Sequence, residues 1–232
     1  MNDIEQAKAQ VGTRAAAEVR SGMVVGLGTG STTAYAIRAL GRRIREEGLQ
    51  ITGVPTSYAA ELLARAEGIP LRMPSEVEAI DVALDGADEV DPALNLIKGR
   101  GGAHTRERIV ASMAYRFIVL VDYTKEVPRL GTRMPVPVEI MPFAMGPCIR
   151  RLEELGGTPV LRMGVKKDGP VVTDQGFWIV DTTFPPIEEP LELARAIGDI
   201  PGVLDHGLFI GMATDVLTAT PEGDIHHRTR TR

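Results

Sequence analysis

The fold is decided by residues 23–33, which read MVVGLGTGSTT. The apolar start predicts a short strand, the glycines predict a tight turn, and the hydroxyl residues begin a helix with its apolar side chains at helical spacing. Backbone N–H groups and hydroxyls at such a helix start can bind an anion. The loop therefore predicts a phosphate site, although a dinucleotide site, a methyl-donor site or a plain tight turn also fits the glycines.

Strands and helices keep alternating on both sides of this loop. The predicted elements are a helix at 4–20, a strand at 51–54, a helix at 57–67, a strand at 80–84, a helix at 105–115 and a strand at 117–121. Alternation of this kind is typical of an α/β fold. We therefore predict an open, mostly parallel, Rossmann-like sheet with helices on both faces.

The pattern changes after Val127, where five prolines fall within 20 residues. Strands near 136–140, 159–163 and 177–181, with helices near 144–155 and 190–197, predict a smaller α+β domain of the ferredoxin-like kind. The predicted domains are 1–130 with 206–232 for the α/β catalytic part, and 131–205 for the smaller domain, which we expect at a subunit interface. The apolar stretches 207–211 and 216–219 are expected to return to the first sheet.

Composition excludes several classes of function. The 232 residues carry a net charge of −5 and are 44% hydrophobic, so a folded protein is expected, with no field to attract nucleic acid or an anionic membrane. The polar N-terminus and the absence of an apolar run of about 18 residues predict neither signal peptide nor membrane helix. The single cysteine, Cys148, cannot form an internal disulfide, which suits a cytoplasmic protein, and we expect it to be a small buried side chain. The basic tail, His226 to Arg232, is expected to be solvated or disordered.

Two further motifs carry chemistry. Residues 85–91, DGADEVD, follow the strand at 80–84, and the carboxyl ends of strands are where open α/β sheets bind ligands. By pattern alone this run fits a solvated acidic turn or a magnesium site as well. Residues 98–107, KGRGGAHTRE, form a glycine-rich loop that opens a helix and could hold an oxyanion. By position alone Glu107 fits a capping carboxylate, and His104 fits a surface or capping residue.

Taken together and in this order, these motifs resemble the type A ribose-5-phosphate isomerases. The resemblance spans residues 4–224 and rests on GTGST, DGADE, KGRGGAHTRE, DYTKEVPRLG, MPVPVEIMPFA, LGGTPVLR and IPGVLDHGLFIGMATDV. It implies an aldose–ketose isomerase that interconverts ribose 5-phosphate and ribulose 5-phosphate through an enediolate. It also implies no cofactor, no metal, and assembly into at least a homodimer.

The resemblance assigns roles to residues at matching positions. Glu107 is implied to move the proton between carbons, Lys98 to polarise the substrate oxygens, and Asp85 and Asp88 to assist ring opening and move hydroxyl protons. The implied substrate-binding residues are Thr29, Gly30, Ser31, Thr32, Gly86, Ala87, Gly99, Arg100, Gly101, Lys125 and, more weakly, Lys8. Two positions depart from the family pattern: Arg100 replaces a glycine, and His104 replaces an apolar residue.

Other readings of the sequence stay open at this point. Glucosamine-6-phosphate deaminases and coenzyme A transferases share the sheet and a glycine loop, but not this pair of DGADE and KGRGGAHTRE motifs. A non-catalytic sugar-phosphate sensor is the alternative outside the enzymes, although the acidic chain has no room near its start for a DNA-binding helix pair.

Overall fold

The computed structural model describes residues 3–230. The chain folds as two compact units, one formed by Met1–Ala87, Arg106–Glu126 and Met212–Arg232 and the other by Asp88–Thr105 and Val127–Gly211. The helices are α1 (Asp3–Ala16), α2 (Ser31–Glu47), α3 (Tyr58–Ala66), α4 (His104–Ser112), α5 (Met145–Glu154) and α6 (Pro190–Gly198). The strands are β1 (Val24–Leu27), β2 (Thr52–Pro55), β3 (Ile80–Gly86), β4 (Glu89–Val90), β5 (Leu96–Ile97), β6 (Ala114–Asp122), β7 (Val136–Ile140), β8 (Thr158–Leu161), β9 (Trp178–Thr183), β10 (Val203–His206), β11 (Leu208–Phe209), β12 (Asp215–Ala219) and β13 (Ile225–Thr229).

The first unit is built on a six-stranded sheet in the order β13-β12-β6-β3-β1-β2. All neighbouring pairs are parallel except β12 with β13. The chain leaves β1 towards β2 on one side and returns to β3 on the other, so the strand order reverses at β1. In open α/β sheets a ligand crevice lies at the carboxyl ends of the strands beside such a reversal.

Helices cover both faces of this sheet, which confirms the predicted α/β architecture. One face packs against α1, α2 and α3 in a single apolar core, where Ile37 and Leu40 are about 1% exposed or less. Each such buried side chain contributes about 1.5–3 kcal/mol. On the opposite face α4 lies close to β1, because a Cβ placed on Gly26 would be 2.6 Å from Cγ1 of Val110.

The described part of the basic tail is an ordered strand with mostly exposed side chains, so the disordered alternative of the prediction is wrong and the solvated one is not contradicted. Residues Ile225–Thr229 form β13, which pairs antiparallel with β12. His227 lies 2.7 Å from the carboxylate of Asp215, and Arg228 donates to Glu126 at 2.7 Å. This strand lies at the edge of the sheet and is held by backbone hydrogen bonds and ion pairs. Its side chains are therefore mostly polar, and the sequence shows no apolar pattern that would predict a strand. Arg232 lies outside the described residues.

The second unit contains the predicted ferredoxin-like domain. Its four-stranded antiparallel sheet has the order β10-β7-β9-β8, with α5 between β7 and β8 and α6 between β9 and β10. Side chains of one face, among them Val138 and Val180, share a core with Cys148 of α5 and Ile197 of α6. Cys148 is fully buried, as expected, and burial raises the pKa of its thiol.

A third, small sheet overturns one expectation about the apolar stretch 207–211. Its strand β11 pairs with β5, and β5 pairs with β4, to form a three-stranded antiparallel sheet in the second unit. Only the stretch 216–219 returns to the first sheet, as β12. Two residues make too short a strand for periodicity to reveal its partner.

The units also divide the chain at other places than the predicted domains. Residues 88–105 belong to the second unit, because β5 pairs there with β4 and β11 and neither β4 nor β5 joins the parallel sheet. The stretch 206–211 joins the second unit because β11 pairs with β5, and residues 127–130 also belong to that unit. The proline-rich sequence marks only the boundary at Val127.

Candidate active site

The loop after β1 is shaped by Asp85 of β3. A Cβ on Gly28 would lie 2.2 Å from Cγ of Asp85, so only glycine fits there. Oδ1 of Asp85 accepts the backbone N–H of Thr29 at 3.1 Å and that of Gly86 at 2.7 Å. Asp85 is 3% exposed, while Gly86 and the following Ala87 are half-buried. Two motifs 56 residues apart thus meet at the point where the strand order reverses.

Thr29 ties this loop to the end of β2. Its hydroxyl donates to Oγ of Ser57 at 2.7 Å and lies 2.8 Å from Oγ1 of Thr56. Ser57 also accepts the N–H of Ala60 and so caps α3. Sequence reasoning missed Thr56 and Ser57 as part of this site. The Thr56-Ser57 pair between a strand and a helix was the feature of the sequence that could have indicated them.

The N-terminus of α2 lacks the cap that α3 has. Its N-cap is Gly30, with φ +119°, and no side chain caps the first turn. Ser31 is exposed and Thr32 is half-buried, so both hydroxyls stand at an open helix start. Unsatisfied N–H groups and the positive end of the helix dipole favour an anion at such a place.

Lys125 lies at the end of β6, on the same edge of the sheet as the carboxyl ends of β1 and β3. Asp122, which ends β6, accepts the N–H of Thr124 at 3.0 Å and also its hydroxyl. This begins a short 3₁₀ helix, Tyr123–Lys125. Lys125 is half-buried and forms no side-chain hydrogen bond or ion pair within residues 3–230. Its charge is therefore available to a ligand.

Lys8 is engaged by a neighbour on its own helix. Its ammonium donates to Glu5 at 2.8 Å, and the hydroxyl of Tyr35 on α2 donates to the other oxygen of Glu5 at 2.9 Å. Hydrogen bonds from Lys8 and Tyr35 hold the pKa of Glu5 below its ordinary value. The described contacts join Lys8 to α2 but not to the loop at 28–32.

In the second unit, Glu89 of the acidic run serves the fold. It is 1% exposed and accepts three backbone N–H groups, those of Gly131, Arg133 and Met134, at 2.6–2.8 Å. Asp91 likewise accepts the backbone and side-chain N–H groups of Asn95. Neither carboxylate is solvated, so these two members of the run are structural. Within residues 3–230 no group of three or more His, Cys, Asp or Glu side chains is arranged to hold a metal ion.

Asp88 and Lys98 meet the glycine loop in the same unit. Oδ2 of Asp88 accepts the backbone N–H of Arg100 at 2.9 Å. Lys98 is 2% exposed, and its ammonium lies 5.6 Å from the ring centroid of Phe209. Gly99 has φ +106°, a conformation that favours glycine. The side chain of Arg100 is exposed, as is Gly101.

His104 is fully buried, so the expectation of a surface residue is wrong, whereas burial does not test the alternative of a capping residue. Its Nδ1 would lie 2.7 Å from a Cβ on Gly99, which places the ring directly under the loop. Its Nε2 is 3.9 Å from Oε2 of the equally buried Glu139. The imidazole therefore takes the packing place of the apolar residue common in the family pattern.

Glu107 lies in the first turn of α4 and is 5% exposed. The start of a helix stabilises a carboxylate through the helix dipole. Burial keeps bulk water away from this carboxylate. The capping role that its position also fits is not tested by its burial alone.

Comparison of the sequence with known proteins points to one family. The family described as Ribose 5-phosphate isomerase A (phosphoriboisomerase A) matches residues 52–223. Ribose-5-phosphate isomerase A of Thermosynechococcus vestitus is 57% identical over 92% of this chain and 91% of its own. The enzyme of that name from Thermococcus kodakarensis is 51% identical over 95% and 97%.

Solved structures agree with the sequences. Ribose 5-phosphate isomerase A from Methanocaldococcus jannaschii superimposes with a TM-score of 0.93 at 46% identity, over 97% of this chain and 99% of that one. A D-ribose-5-phosphate isomerase in complex with phospho-erythronic acid has a TM-score of 0.96 at 48% identity, over 99% and 100%. No helix within residues 3–230 is long and apolar enough to cross a membrane. The chain belongs to the ribose-5-phosphate isomerase A family.

Proposed function

We propose that this chain interconverts D-ribose 5-phosphate and D-ribulose 5-phosphate through an enediolate. The observation that carries the proposal is the contact of Asp85 with the Gly28–Thr29 loop at the strand reversal, in a chain of this family. A deaminase or a coenzyme A transferase would use the same kind of sheet, but family membership over nearly the whole chain favours the isomerase.

The reaction needs one base and one electrophile. Glu107 removes the proton from C2 of the open-chain aldose, and the electron pair moves to give an enediolate whose oxygens Lys98 stabilises. Glu107 then returns the proton to C1, while Asp88 carries the hydroxyl proton from O2 to O1, which leaves the carbonyl at C2. Asp85 assists the ring opening that must come first. One preorganised donor such as Lys98 contributes about 3–4 kcal/mol at the transition state.

The phosphate is proposed to bind at the open start of α2, with Ser31, Thr32 and Lys125 as its partners. A relative of 48% identity binds phospho-erythronic acid. The carboxylate of that acid carries a planar negative charge on two oxygens, as an enediolate would, beside a terminal phosphate. The same ligand chemistry suits this chain. Lys8 contributes less, because Glu5 already neutralises it.

The test is ketose formation from ribose 5-phosphate by the purified chain, before and after exhaustive treatment with EDTA. We expect isomerisation that survives chelation, because the proposed chemistry uses only side chains. A sensor domain would bind the sugar phosphate without turnover, and a deaminase would instead act on an amino sugar phosphate. Activity lost to EDTA and restored by magnesium would return the acidic run to metal binding.

The wider setting is part of the same proposal. We place the protein in the cytoplasm, in the non-oxidative interconversion of pentose phosphates, with no nucleic-acid or membrane partner and no cofactor. We also propose a homodimer whose second unit meets the partner subunit.

A further inference from the structure

We propose that Arg162, held by Asp181, is a positioning residue for the isomerase: it fixes the peptide group between Gly99 and Arg100, whose N–H holds the carboxylate of Asp88. The inference rests on the proposed function, because that function gives Asp88 and the glycine loop their roles. Arg162 ends the LGGTPVLR motif and has no part in the reaction described above.

The guanidinium of Arg162 uses all three of its nitrogens within the second unit. Nε donates to Oδ2 of Asp181 at 2.8 Å, and one terminal nitrogen donates to Oδ1 of the same carboxylate. The other terminal nitrogen donates to two loop carbonyls, that of Gly99 at 3.1 Å and that of Arg100 at 2.9 Å. The side chain of Arg162 is only 16% exposed. Two-point pairing with a carboxylate leaves the fork little freedom to turn away from the loop.

The two contacts on the Gly99–Arg100 peptide act from opposite sides. Its carbonyl oxygen accepts from the Arg162 cation, and its N–H donates to Oδ2 of Asp88 at 2.9 Å. Hydrogen bonds in series polarise one another, so a cation on the carbonyl makes the N–H a stronger donor. The cation thus stabilises the Asp88 carboxylate through a peptide bond without touching it.

This peptide needs to be fixed. Gly99 has φ +106°, and glycine permits several other backbone conformations at small cost. A turn of the peptide would point its carbonyl oxygen, instead of its N–H, towards Asp88. Arg162 opposes that turn, because it would lose the acceptor on Gly99.

The clamp stands on a rigid base. Asp181 lies on β9, an inner strand of the four-stranded sheet, and Arg162 follows β8, its neighbour. The loop lies against the sheet face opposite α5 and α6: a Cβ on Gly102 would be 3.1 Å from Ile179, and Thr105 donates to the buried Glu139. Sites supported by strands hold their geometry better than sites supported by loops alone.

The first arm of the test observes the peptide itself. Glycine labelled with ¹³C at the carbonyl and arginine labelled with ¹⁵N give a signal only from Gly–Arg peptides, and this sequence has two, Gly41–Arg42 and Gly99–Arg100. In Arg162→Lys we expect the Gly99–Arg100 signal to move upfield in the proton dimension or to broaden. The Gly41–Arg42 signal, from α2, should stay in place and report an intact fold.

The second arm measures turnover. Lysine cannot bridge a carboxylate and two carbonyls at once, so Arg162→Lys should lower kcat/KM about tenfold or more, mainly through kcat. Arg151→Lys is the matched control, because Arg151 pairs with Glu154 on the exposed face of α5, and it should behave like the wild type. Free guanidinium should partly restore Arg162→Ala, and tetramethylammonium at the same concentration should not.

The outcomes separate this inference from the proposed function. If the wild type is inactive, the proposed isomerase function is wrong. If the wild type is active and the Gly99–Arg100 signal does not move in Arg162→Lys, the proposed clamp by Arg162 is wrong. A moved signal with turnover equal to that of Arg151→Lys overturns the positioning role. If Arg162→Lys does not fold, Asp181→Asn carries both readouts, with the same expected losses and the same contradictory outcomes.

Discussion

Among single residues, Glu107 is the one that we propose to move the proton between C2 and C1. It is buried, it lies in the first turn of a helix, and its side chain is one methylene longer than those of Asp85 and Asp88. Asp85 accepts two backbone N–H groups and Asp88 accepts one, which suits a fixed acceptor better than a group that follows a proton from one carbon to the next.

Glu107→Gln keeps the shape of this side chain and removes its basicity. We expect kcat to fall by about 10²–10⁴, with KM little changed, and exchange of the substrate proton with D₂O to fall in parallel. The exposed Glu78→Gln is the control and should turn over normally. Near-normal turnover and exchange in Glu107→Gln, combined with loss of both in Asp85→Asn, would move the base to the acidic run.

At the scale of residues, local turns were easier to predict than packing. The glycines of residues 26–30 were readable as a turn, but the reason for Gly28 is the carboxylate of Asp85, which no local pattern announces. His104 was expected to be a surface or capping residue because it lies near a helix start, yet the space under Gly99 accepts a buried imidazole beside Glu139. Such contacts depend on the tertiary structure and not on spacing along the chain.

At the scale of elements, the phosphate site that we propose lies at the uncapped start of α2. Ser31→Ala or Lys125→Ala should each raise KM for ribose 5-phosphate about tenfold, since a hydrogen bond to a charged group contributes about 1.5–3 kcal/mol. Each substitution removes a side chain that is proposed to bind the phosphate, and neither changes the side chains proposed to act on the reacting carbons. Unphosphorylated ribose should be a very poor substrate.

The control for these variants is Ser112→Ala, because Ser112 is an exposed hydroxyl that donates only to the carbonyl of Ile109 at the end of α4. It should leave KM unchanged. If neither Ser31→Ala nor Lys125→Ala changes the preference for phosphorylated substrate, the phosphate binds elsewhere.

The edge strand β13 depends on one buried carboxylate, Asp215. Burial alone would raise the pKa of Asp215, but hydrogen bonds from Thr214, Arg116 and His227 outweigh it and hold the pKa below its ordinary value. A lowered pKa in the folded state stabilises the protein above the unfolded pKa, about 3.9, and this contribution is lost as pH falls through the folded value.

Asp215→Asn should therefore lower the free energy of unfolding by about 1.5–3 kcal/mol between pH 5 and 7. The deficit should shrink as pH falls below about 4, where the wild-type carboxylate also becomes protonated. Urea unfolding across this pH range measures it, with the exposed Asp224→Asn as the matched control in the same hairpin. A deficit independent of pH would mean that packing, not charge, is what the substitution removes.

At the scale of the whole molecule, long periodic elements were predictable and their grouping was not. The parallel sheet followed from alternating strands and helices, and the ferredoxin-like sheet followed from the order of elements after Val127. The unit boundaries are set by β4, β5 and β11, strands of two residues each. The ladder between β5 and β11 joins segments more than 100 residues apart, and sequence periodicity carries no record of such a pair.

The second unit also presents apolar side chains that a lone chain would leave in water. Phe143 is 94% exposed beside β7, and Met141 and Leu204 are each almost half exposed. The backbone N–H of Met141 donates to Gly202 at 2.8 Å, so these side chains lie near one edge of the four-stranded sheet, where β10 has no further strand. An apolar patch next to an open edge is a surface that another copy of the chain can cover.

Light scattering at micromolar concentration should therefore give at least twice the chain mass of 25.0 kDa. Phe143→Asp places a charge on the most exposed of these three side chains, so it should shift the mass towards the single chain, because burying an unpaired carboxylate costs more than the contact gains. Tyr115→Asp, at a 74% exposed position in the first unit, is the control and should keep the assembly. A 25.0 kDa species alone for the wild type would defeat the homodimer, and an unchanged assembly in Phe143→Asp would place the interface on another surface.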